Sequence, residues 1–318
     1  MKKFALLITS LAFFACTKSP TSPESMHGIT WTRRTSGTTN ALTGVTWAGN
    51  QLVAVGVNGI ILTSPDGIAW TERNSGTTSD FSAVTWAGTQ CVAVKWYGDS
   101  VLTSPDGIAW TQRSMGWTSE IDGVTWTGNQ LVIVGISLLT SPDGVVWTPR
   151  NIVAYGGELQ SVTWTGSQLV AVGVIANGSS DTTLILTSPD GITWSRRYTG
   201  TGNTLNSVAW TGGQLVAVGT GGMVLTSPNG ISWTQRNSGT TDYLASVVWA
   251  GDQLVAVGGG TSGNSSGTVL TSPDGITWTR RNFAAGRMLS VTWTGASTGS
   301  GAGQLVAVGD SGAIMTSP

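Results

Sequence analysis

The chain contains the stretch Leu62-Thr63-Ser64-Pro65-Asp66-Gly67-Ile68-Ala69-Trp70-Thr71, and close copies of it return along the sequence. Its centre, residues 64–67, has the composition of a hairpin turn. Pro presets φ for a tight turn, Asp accepts local backbone hydrogen bonds and Gly takes a positive φ. The stretch therefore predicts two antiparallel strands, here called C and D, joined by this turn.

Two further segments precede the turn in each repeat. In the first repeat they are Val45-Thr46-Trp47, where apolar and polar residues alternate, and Gln51-Leu52-Val53-Ala54-Val55-Gly56, which is mostly apolar. Alternation indicates a strand with one polar face, and an unbroken apolar run indicates a strand buried on both faces. These are strands A and B of a four-strand unit. The strand A tryptophans are Trp47, Trp86, Trp126, Trp164, Trp210, Trp249 and Trp293, and the strand D tryptophans are Trp31, Trp70, Trp110, Trp147, Trp194, Trp233 and Trp278.

The two tryptophan sets define seven repeats of about 41 residues, the period of a four-stranded propeller blade. The array is incomplete at both ends, because residues 314–318 form a strand C without its D and residues 28–32 form a strand D without the other three. We therefore predict an all-β, seven-bladed β-propeller with four antiparallel strands per blade, closed by pairing of the N-terminal strand in the last blade. Closure removes exposed sheet edges, and an open solenoid would need capping repeats that this sequence lacks.

The first residues have the pattern of an export signal. Lys2 and Lys3 precede an apolar run over 4–14 that is too short to span a bilayer, and residues 11–16 resemble a bacterial lipobox ending at Cys16. We expect lipidation of Cys16, with ordinary signal cleavage as the alternative. The predicted organisation is a lipoprotein signal peptide at 1–16, a tether at 17–27 and the propeller at 28–318. The predicted location is the outer membrane or cell surface, otherwise the periplasm or the medium, with the lipid anchor as the membrane contact.

Composition excludes several classes of function. Charged residues make up 10% of the chain and the formal net charge is −1. No block of Lys or Arg is present to neutralise phosphates, so we expect no nucleic-acid partner. The single histidine, His27, and the two cysteines give no cluster of metal ligands, so we expect no metal and no cofactor. The second cysteine, Cys91, stands where other repeats have Leu or Val and is predicted to be a small buried apolar group.

The recurring Ser-Pro-Asp-Gly-x-x-Trp motif resembles the Asp-box of BNR-type propellers, a superfamily that includes sialidases, sortilin-type receptors and photosystem II assembly factors. The box here is one residue shorter between Asp and Gly, and the resemblance covers nearly the whole mature chain. It implies a structural turn at the blade periphery rather than an active site. Asn229 replaces the Asp in the fifth repeat, which agrees with a turn that needs only a hydrogen-bond acceptor.

A sialidase is not expected, because the resemblance would require three convergent arginines and a Tyr-Glu nucleophile pair. Seven arginines occupy the same position in each strand D, and Arg33, Arg196 and Arg280 also lie in strand D. Because strand D is an outer strand, these residues cannot form an arginine trio at the centre of the ring. A glycosidase that uses two carboxylates is not excluded, because the D-to-A connections and strand A can bring Glu120, Asp122 and Glu158 near one another. The arginines three residues after a strand D tryptophan are Arg34, Arg73, Arg113, Arg150, Arg197, Arg236 and Arg281.

Length variation concentrates in the B-to-C connections, which an up-and-down blade places on the same face as the D-to-A connections. Function is expected on this face, because positions shared by all repeats already explain the fold. The D-to-A connections also carry a variable residue just before a recurring apolar one. If strand A is innermost, these variable residues ring the mouth of the central channel: Ala41, Asp80, Glu120, Glu158, Thr204, Tyr243 and Arg287.

Trp96 and Trp117 fall outside both tryptophan sets. Exposed aromatics beside acidic groups suit sugar stacking or a protein hot spot, and the alternative is that both residues fill gaps in the fold. We predict a non-catalytic cell-envelope propeller that binds a protein or a glycan. A glycoside hydrolase and an assembly factor for a membrane complex are the alternatives. The predicted ligand-binding residues are Trp96, Tyr97, Asp99, Trp117, Glu120, Glu158, Tyr243 and Arg287.

Overall fold

The computed structural model describes residues 27–150, 156–176, 181–260, 266–281, 283, 285–295 and 303–318. The predicted signal peptide with Cys16 and residues 17–26 of the predicted tether lie outside these residues, as do parts of the variable connections 174–183, 259–267 and 295–303. The described residues form antiparallel strands and three short 3-10 turns, Val57–Gly59, Thr220–Gly222 and Asp310–Gly312. Within the described ranges, no helix is long and apolar enough to cross a membrane.

Four sheets hold one repeat each, with strands A, B, C and D as consecutive neighbours. Strand A lies innermost, and the exposed three- to seven-residue strand D lies outermost. The first of these sheets contains β2 (Leu42–Trp47), β3 (Leu52–Gly56), β4 (Ile61–Ser64) and β5 (Thr71–Arg73). The others contain β13 (Glu158–Trp164), β14 (Leu169–Ile175), β15 (Thr182–Ser188) and β16 (Ser195–Thr201); β17 (Leu205–Trp210), β18 (Leu215–Gly219), β19 (Val224–Ser227) and β20 (Thr234–Arg236); and β21 (Tyr243–Trp249), β22 (Leu254–Gly259), β23 (Gly267–Ser272) and β24 (Thr279–Arg281).

Repeats two and three share one seven-stranded sheet, so the structure has six sheets where the sequence predicted seven separate ones. The cause is β9, which runs unbroken from strand D of repeat two into strand A of repeat three. Its partner β8 starts early, and Tyr97 faces Glu120 across the ladder, so the D-to-A connection is held extended. The strands are β6 (Phe81–Trp86), β7 (Cys91–Lys95), β8 (Tyr97–Ser104), β9 (Thr111–Trp126), β10 (Leu131–Gly135), β11 (Leu138–Ser141) and β12 (Thr148–Arg150).

The last sheet joins the two ends of the repeat array. Strands β25 (Met288–Trp293), β26 (Leu305–Gly309) and β27 (Ile314–Ser317) pair in order, and β1 (Thr32–Arg34) pairs with β27. The backbone N–H of Gly28 donates to Ser317 Oγ at 2.9 Å, and the Trp31 indole donates to Gly28 O at 2.9 Å. These contacts match those inside the intact turns, so the predicted pairing of the terminal strands is confirmed.

The repeated turn is stabilised by its own acidic side chain. Asp66 Oδ1 accepts hydrogen bonds from the N–H groups of Ile68 at 2.8 Å and Ala69 at 3.1 Å. The bond from Ile68 is the main cause that holds the pKa of the Asp66 carboxyl below its usual value. Asn229 Oδ1 accepts the equivalent bond from Ile231 at 2.9 Å. A neutral amide oxygen therefore accepts the same hydrogen bond, so the turn does not require a charged side chain.

The core lies between neighbouring sheets. One cluster combines Leu52 and Leu62 of the first repeat with Val306 and Ile314 of the last, so the two ends of the array share buried apolar contacts. The next cluster joins repeats one and two and contains Cys91, which is fully buried. Burial raises the pKa of the Cys91 thiol to about 12, which confirms that this residue is an inert apolar group.

The inner strands contact one another in a closed sequence, because β2 contacts both β6 and β25, and the others follow in chain order. Their approach is close: a Cβ on Gly44 would lie 3.2 Å from Ala83 Cα. Serine hydroxyls at the same position link adjacent repeats, since Ser290 Oγ accepts from the N–H of Val45 at 3.3 Å. Small residues are therefore required at this level, and they are Gly44, Ala83, Gly123, Ser161, Ser207, Ser246 and Ser290.

Candidate functional site

A cavity of about 480 Å³ lies at the centre of the inner strands, and each of the seven contributes to its wall. The outermost part of this wall is formed by β-bulge residues, one per inner strand. In repeat one, Leu42 pairs with Gly56 and Gly44 pairs with Val55, so Thr43 is the extra residue. A bulge turns its extra side chain out of the regular alternation, here toward the cavity. The bulge residues are Thr43, Ser82, Asp122, Gln160, Asn206, Ala245 and Leu289.

This ring lies two residues after the one predicted from the sequence. Of the predicted mouth residues, only Asp80 and Tyr243 line the cavity. The bulge ring was not predicted, because a bulge is a two-against-one mismatch between strands, which a single strand does not reveal. One signal was present: the bulge position varies between repeats, whereas an apolar residue always precedes it and a small residue always follows it.

Asp122 is the only ionisable side chain in the bulge ring. Its Oδ2 atom is buried and has no hydrogen-bond partner in the part of the chain that the structure describes. Burial raises the pKa of the Asp122 carboxyl to about 7, and the negative charges of Glu158 and Glu120 add to the effect. This carboxyl is therefore part protonated at neutral pH.

Glu120 and Glu158 accompany Asp122 but do not line the cavity. Both are half-buried, and Glu158 Oε1 accepts a hydrogen bond from Gln160 Nε2 at 2.7 Å. Their effect on Asp122 confirms that the fold brings the three carboxylates near one another, as the sequence suggested. No ion pair among the described residues involves any of the three.

Four exposed apolar side chains belong to the connections of repeats two and three on the face of the B-to-C and D-to-A connections. Trp96 is 51% exposed, Tyr97 60%, Trp117 49% and Ile136 54%, and we call these four the apolar patch. Trp96 also lines the cavity, and the Trp117 indole donates to Ser137 Oγ at 3.2 Å, beside Ile136. The remaining large exposed apolar residues all follow the repeated C-to-D turn: Ile68, Ile108, Val145, Val146, Ile192, Ile231 and Ile276.

Lys95 distinguishes the repeat that carries Trp96 and Tyr97. The other six B strands have a glycine at this level, and at Gly56 an added Cβ would lie 2.0 Å from a backbone oxygen. Lys95 is buried instead, and its Nζ donates to Ser100 Oγ at 3.0 Å across the β7–β8 connection. Lys95 therefore anchors the hairpin that presents the two aromatics. The lysine in place of the glycine was the sequence signal, and our sequence reasoning did not assign it this role.

The other predicted site residues are spread around the same face. Asp99 is exposed on β8, and Tyr243 is a half-buried part of the cavity wall. Burial raises the pKa of the Tyr243 phenol. Arg287 is paired with Asp310 of its own repeat at 3.0 Å, away from the apolar patch. The structure thus groups Trp96, Tyr97 and Trp117 with the carboxylates and sets Arg287 apart.

No family model and no curated protein matches the sequence. Among solved structures, YCF48 from Cyanidioschyzon merolae is 18% identical over 90% of this chain and 98% of that chain, with a TM-score of 0.70. A structure of YCF48 bound to D1 peptide is 17% identical, covers 92% and 99%, and has a TM-score of 0.69. Virginiamycin B lyase from Staphylococcus aureus is 10% identical, covers 91% and 98%, and has a TM-score of 0.72.

These likenesses establish a β-propeller fold built from repeats. They include a lyase and a peptide-bound protein, so the fold alone does not decide whether this chain is an enzyme. No family model or sequence match shows an Asp-box or BNR repeat.

Proposed function

We propose that this chain is a seven-bladed binding propeller of the bacterial cell envelope, whose ligand is a protein docked on the B-to-C and D-to-A face. The closed sequence of inner-strand contacts and the seven bulge residues support seven blades. The seven-stranded sheet then holds two blades, with β9 as strand D of one and strand A of the next. The hydrogen bond from the Gly28 N–H to Ser317 Oγ joins the first and last strands, which supports closure of the ring.

The apolar patch is the observation that carries the binding function. Its four residues occupy positions outside the repeat, so the fold does not require them, and each is about half exposed or more. Large exposed aromatic residues mark sites where protein partners bury a few dominant contacts. The bond from Trp117 to Ser137 fixes one of these side chains before a partner arrives, which lowers the entropy lost on binding.

A protein ligand is favoured over a glycan by two features. Ile136 adds an aliphatic side chain to the patch, where a sugar-binding site would use aromatic stacking and hydrogen bonds. The peptide-bound structure is also that of a propeller with the same overall shape. A role in the assembly of a membrane complex would be one form of such protein binding. We further propose that Cys16 carries a lipid anchor that holds the propeller at the membrane.

A glycoside hydrolase is the second candidate, and Asp122 is the observation that favours it. A carboxyl with a pKa of about 7 beside further carboxylates is the pattern of a general acid. Of these three only Asp122 lines the cavity, and the second carboxylate in the cavity wall is that of Asp80. Turnover of a panel of fluorogenic glycosides by the wild type, lost in Asp122→Asn, would establish the hydrolase.

Site-specific photo-cross-linking in the bacterium tests the binding function. A photoreactive phenylalanine analogue placed at Tyr97 is expected to give discrete protein adducts. The same analogue at Ile231, which is exposed on an outer turn, should give none of them. In addition, Trp117→Ala should remove the adducts formed at Tyr97. Identical adducts from Tyr97 and Ile231, or none from Tyr97, would refute a protein site at the patch.

A further inference from the structure

Carboxylates surround the apolar patch. Tyr97 is the cross-strand partner of Glu120, and Asp99 lies two residues beyond Tyr97 on the same strand. Asp80 and Asp122 line the cavity together with Trp96. The ion pairs of the described residues do not include any of these four carboxylates. The four carboxylates on the side that carries the patch therefore have no ion-pair partner among the described residues.

The described cations on this side have hydrogen-bond or ion-pair partners within the chain. Lys95 is buried against Ser100, Arg287 pairs with Asp310 at 3.0 Å, and Arg280 pairs with Asp242 at 3.2 Å. The other described arginines lie on the strand D segments, among them Arg113 at the start of β9, and none of them forms an ion pair with these carboxylates. A cationic ligand would therefore supply ion-pair partners that these carboxylates lack among the described residues.

We infer that the ligand of the apolar patch is a polypeptide segment with a lysine or arginine next to an aliphatic or aromatic residue. The apolar residue packs on Trp96, Tyr97 and Trp117, and the cationic side chain reaches the carboxylates at the cavity mouth. A cation in this position gains attraction from Glu120 and Glu158 and from the faces of the exposed indoles. An acidic segment is repelled, and a neutral one leaves the carboxylates uncompensated. This inference rests on the proposed binding function.

Selection from a random peptide library on the purified protein tests the inference. Displayed peptides of about twelve residues extend to about 40 Å, enough to cross both the patch and the cavity mouth. We expect enrichment of Lys or Arg beside an apolar residue. In titration calorimetry, the double variant Glu120→Gln/Glu158→Gln should bind a selected peptide at least about tenfold more weakly. Glu72→Gln, a carboxylate exposed on outer strand β5, should bind it unchanged. Raising the ionic strength from about 0.05 to about 0.5 M should also weaken binding.

The possible outcomes distinguish failure of the cationic ligand from failure of the binding function. Neutral or acidic peptides that lose affinity in Trp117→Ala would overturn the cationic ligand and leave a binding function at the patch. Selected peptides that bind Trp96→Ala and Trp117→Ala as well as the wild type would overturn the binding function itself. Failure to enrich any peptide, or self-association that Trp117→Ala abolishes, would also overturn the inference, the latter by assigning the patch to a second copy of the chain.

Discussion

Replacement of Asp122 by Asn should stabilise the protein most at alkaline pH and less in mild acid. The Asp122 carboxyl is buried in the cavity wall, its Oδ2 has no partner among the described residues, and its pKa is about 7 in the folded state. An aspartate in the unfolded chain has a pKa near 3.8. Between these values the folded state holds a proton that the unfolded state has released. The free energy of unfolding therefore falls as the pH rises from about 4 to about 7.

The two pKa values set the size of this effect. A shift of about three pH units corresponds to at most about 4 kcal/mol, at about 1.4 kcal/mol per unit. Asp122 borders an open cavity, and water there screens part of the charge, so we expect about 2 kcal/mol of destabilisation above pH 8. Asn has nearly the same shape but no charge, so Asp122→Asn should recover this amount. At pH 5 the folded Asp122 is mostly neutral but the unfolded side chain is already ionised, so Asp122→Asn should gain less than at pH 8, and the two proteins should unfold alike only below about pH 3.8.

Urea unfolding followed by tryptophan fluorescence, at pH values from about 5 to about 8, measures the difference directly. Asp66→Asn is the matched control, because Asn229 already fills that turn position and the pKa of Asp66 is lowered. The stability that Asp66 gains from its ionised form is lost only as the pH falls below about 4, so its effect should be constant over this range. A gain in Asp122→Asn that is equal at pH 5 and pH 8, or a loss at pH 8, would refute the electrostatic account of the cavity.

Three further changes test other parts of the account. Deletion of residues 28–34 removes β1 and the turn contact to the last strand, so the free energy of unfolding should drop by several kcal/mol, to be measured by urea titration; an unchanged midpoint would argue against ring closure. Cys16→Ser should release the protein from the membrane fraction, and failure of the wild type to incorporate labelled palmitate would replace anchoring by simple secretion. Trp70→Ala should cost about 3 to 5 kcal/mol through lost packing, whereas Trp117→Ala should barely change thermal melting; equal losses would make Trp117 a core residue.

The sequence was sufficient for the strand order because the turn chemistry is local. Each C-to-D turn contains its own Pro, acceptor and Gly, and the contact between Gly28 and Ser317 repeats that chemistry between the two ends. The continuous strand β9 was not predictable in this way. It depends on the pairing of Tyr97 with Glu120, which follows from the unusual length of one hairpin rather than from the residues of β9 alone.

Part of the candidate site was predictable because its residues differ from the repeat. Trp96, Tyr97 and Trp117 depart from the repeat, and departure from a repeat is visible in a sequence. The bulge residues that line the cavity, Thr43, Asp122 and their equivalents, lie two residues beyond the predicted mouth positions and were not predicted. Such bulges arise from the register between two strands, so periodicity within one strand does not locate them.

The most direct test of the central claim is titration calorimetry with the protein that cross-links at Tyr97, once it has been identified by mass spectrometry and purified. The account predicts that Trp117→Ala raises the dissociation constant about thirtyfold, equivalent to about 2 kcal/mol, while its unfolding transition stays that of the wild type. Trp117→Ala and Trp96→Ala variants that bind this partner with wild-type affinity would contradict the claim that the apolar patch is the binding site.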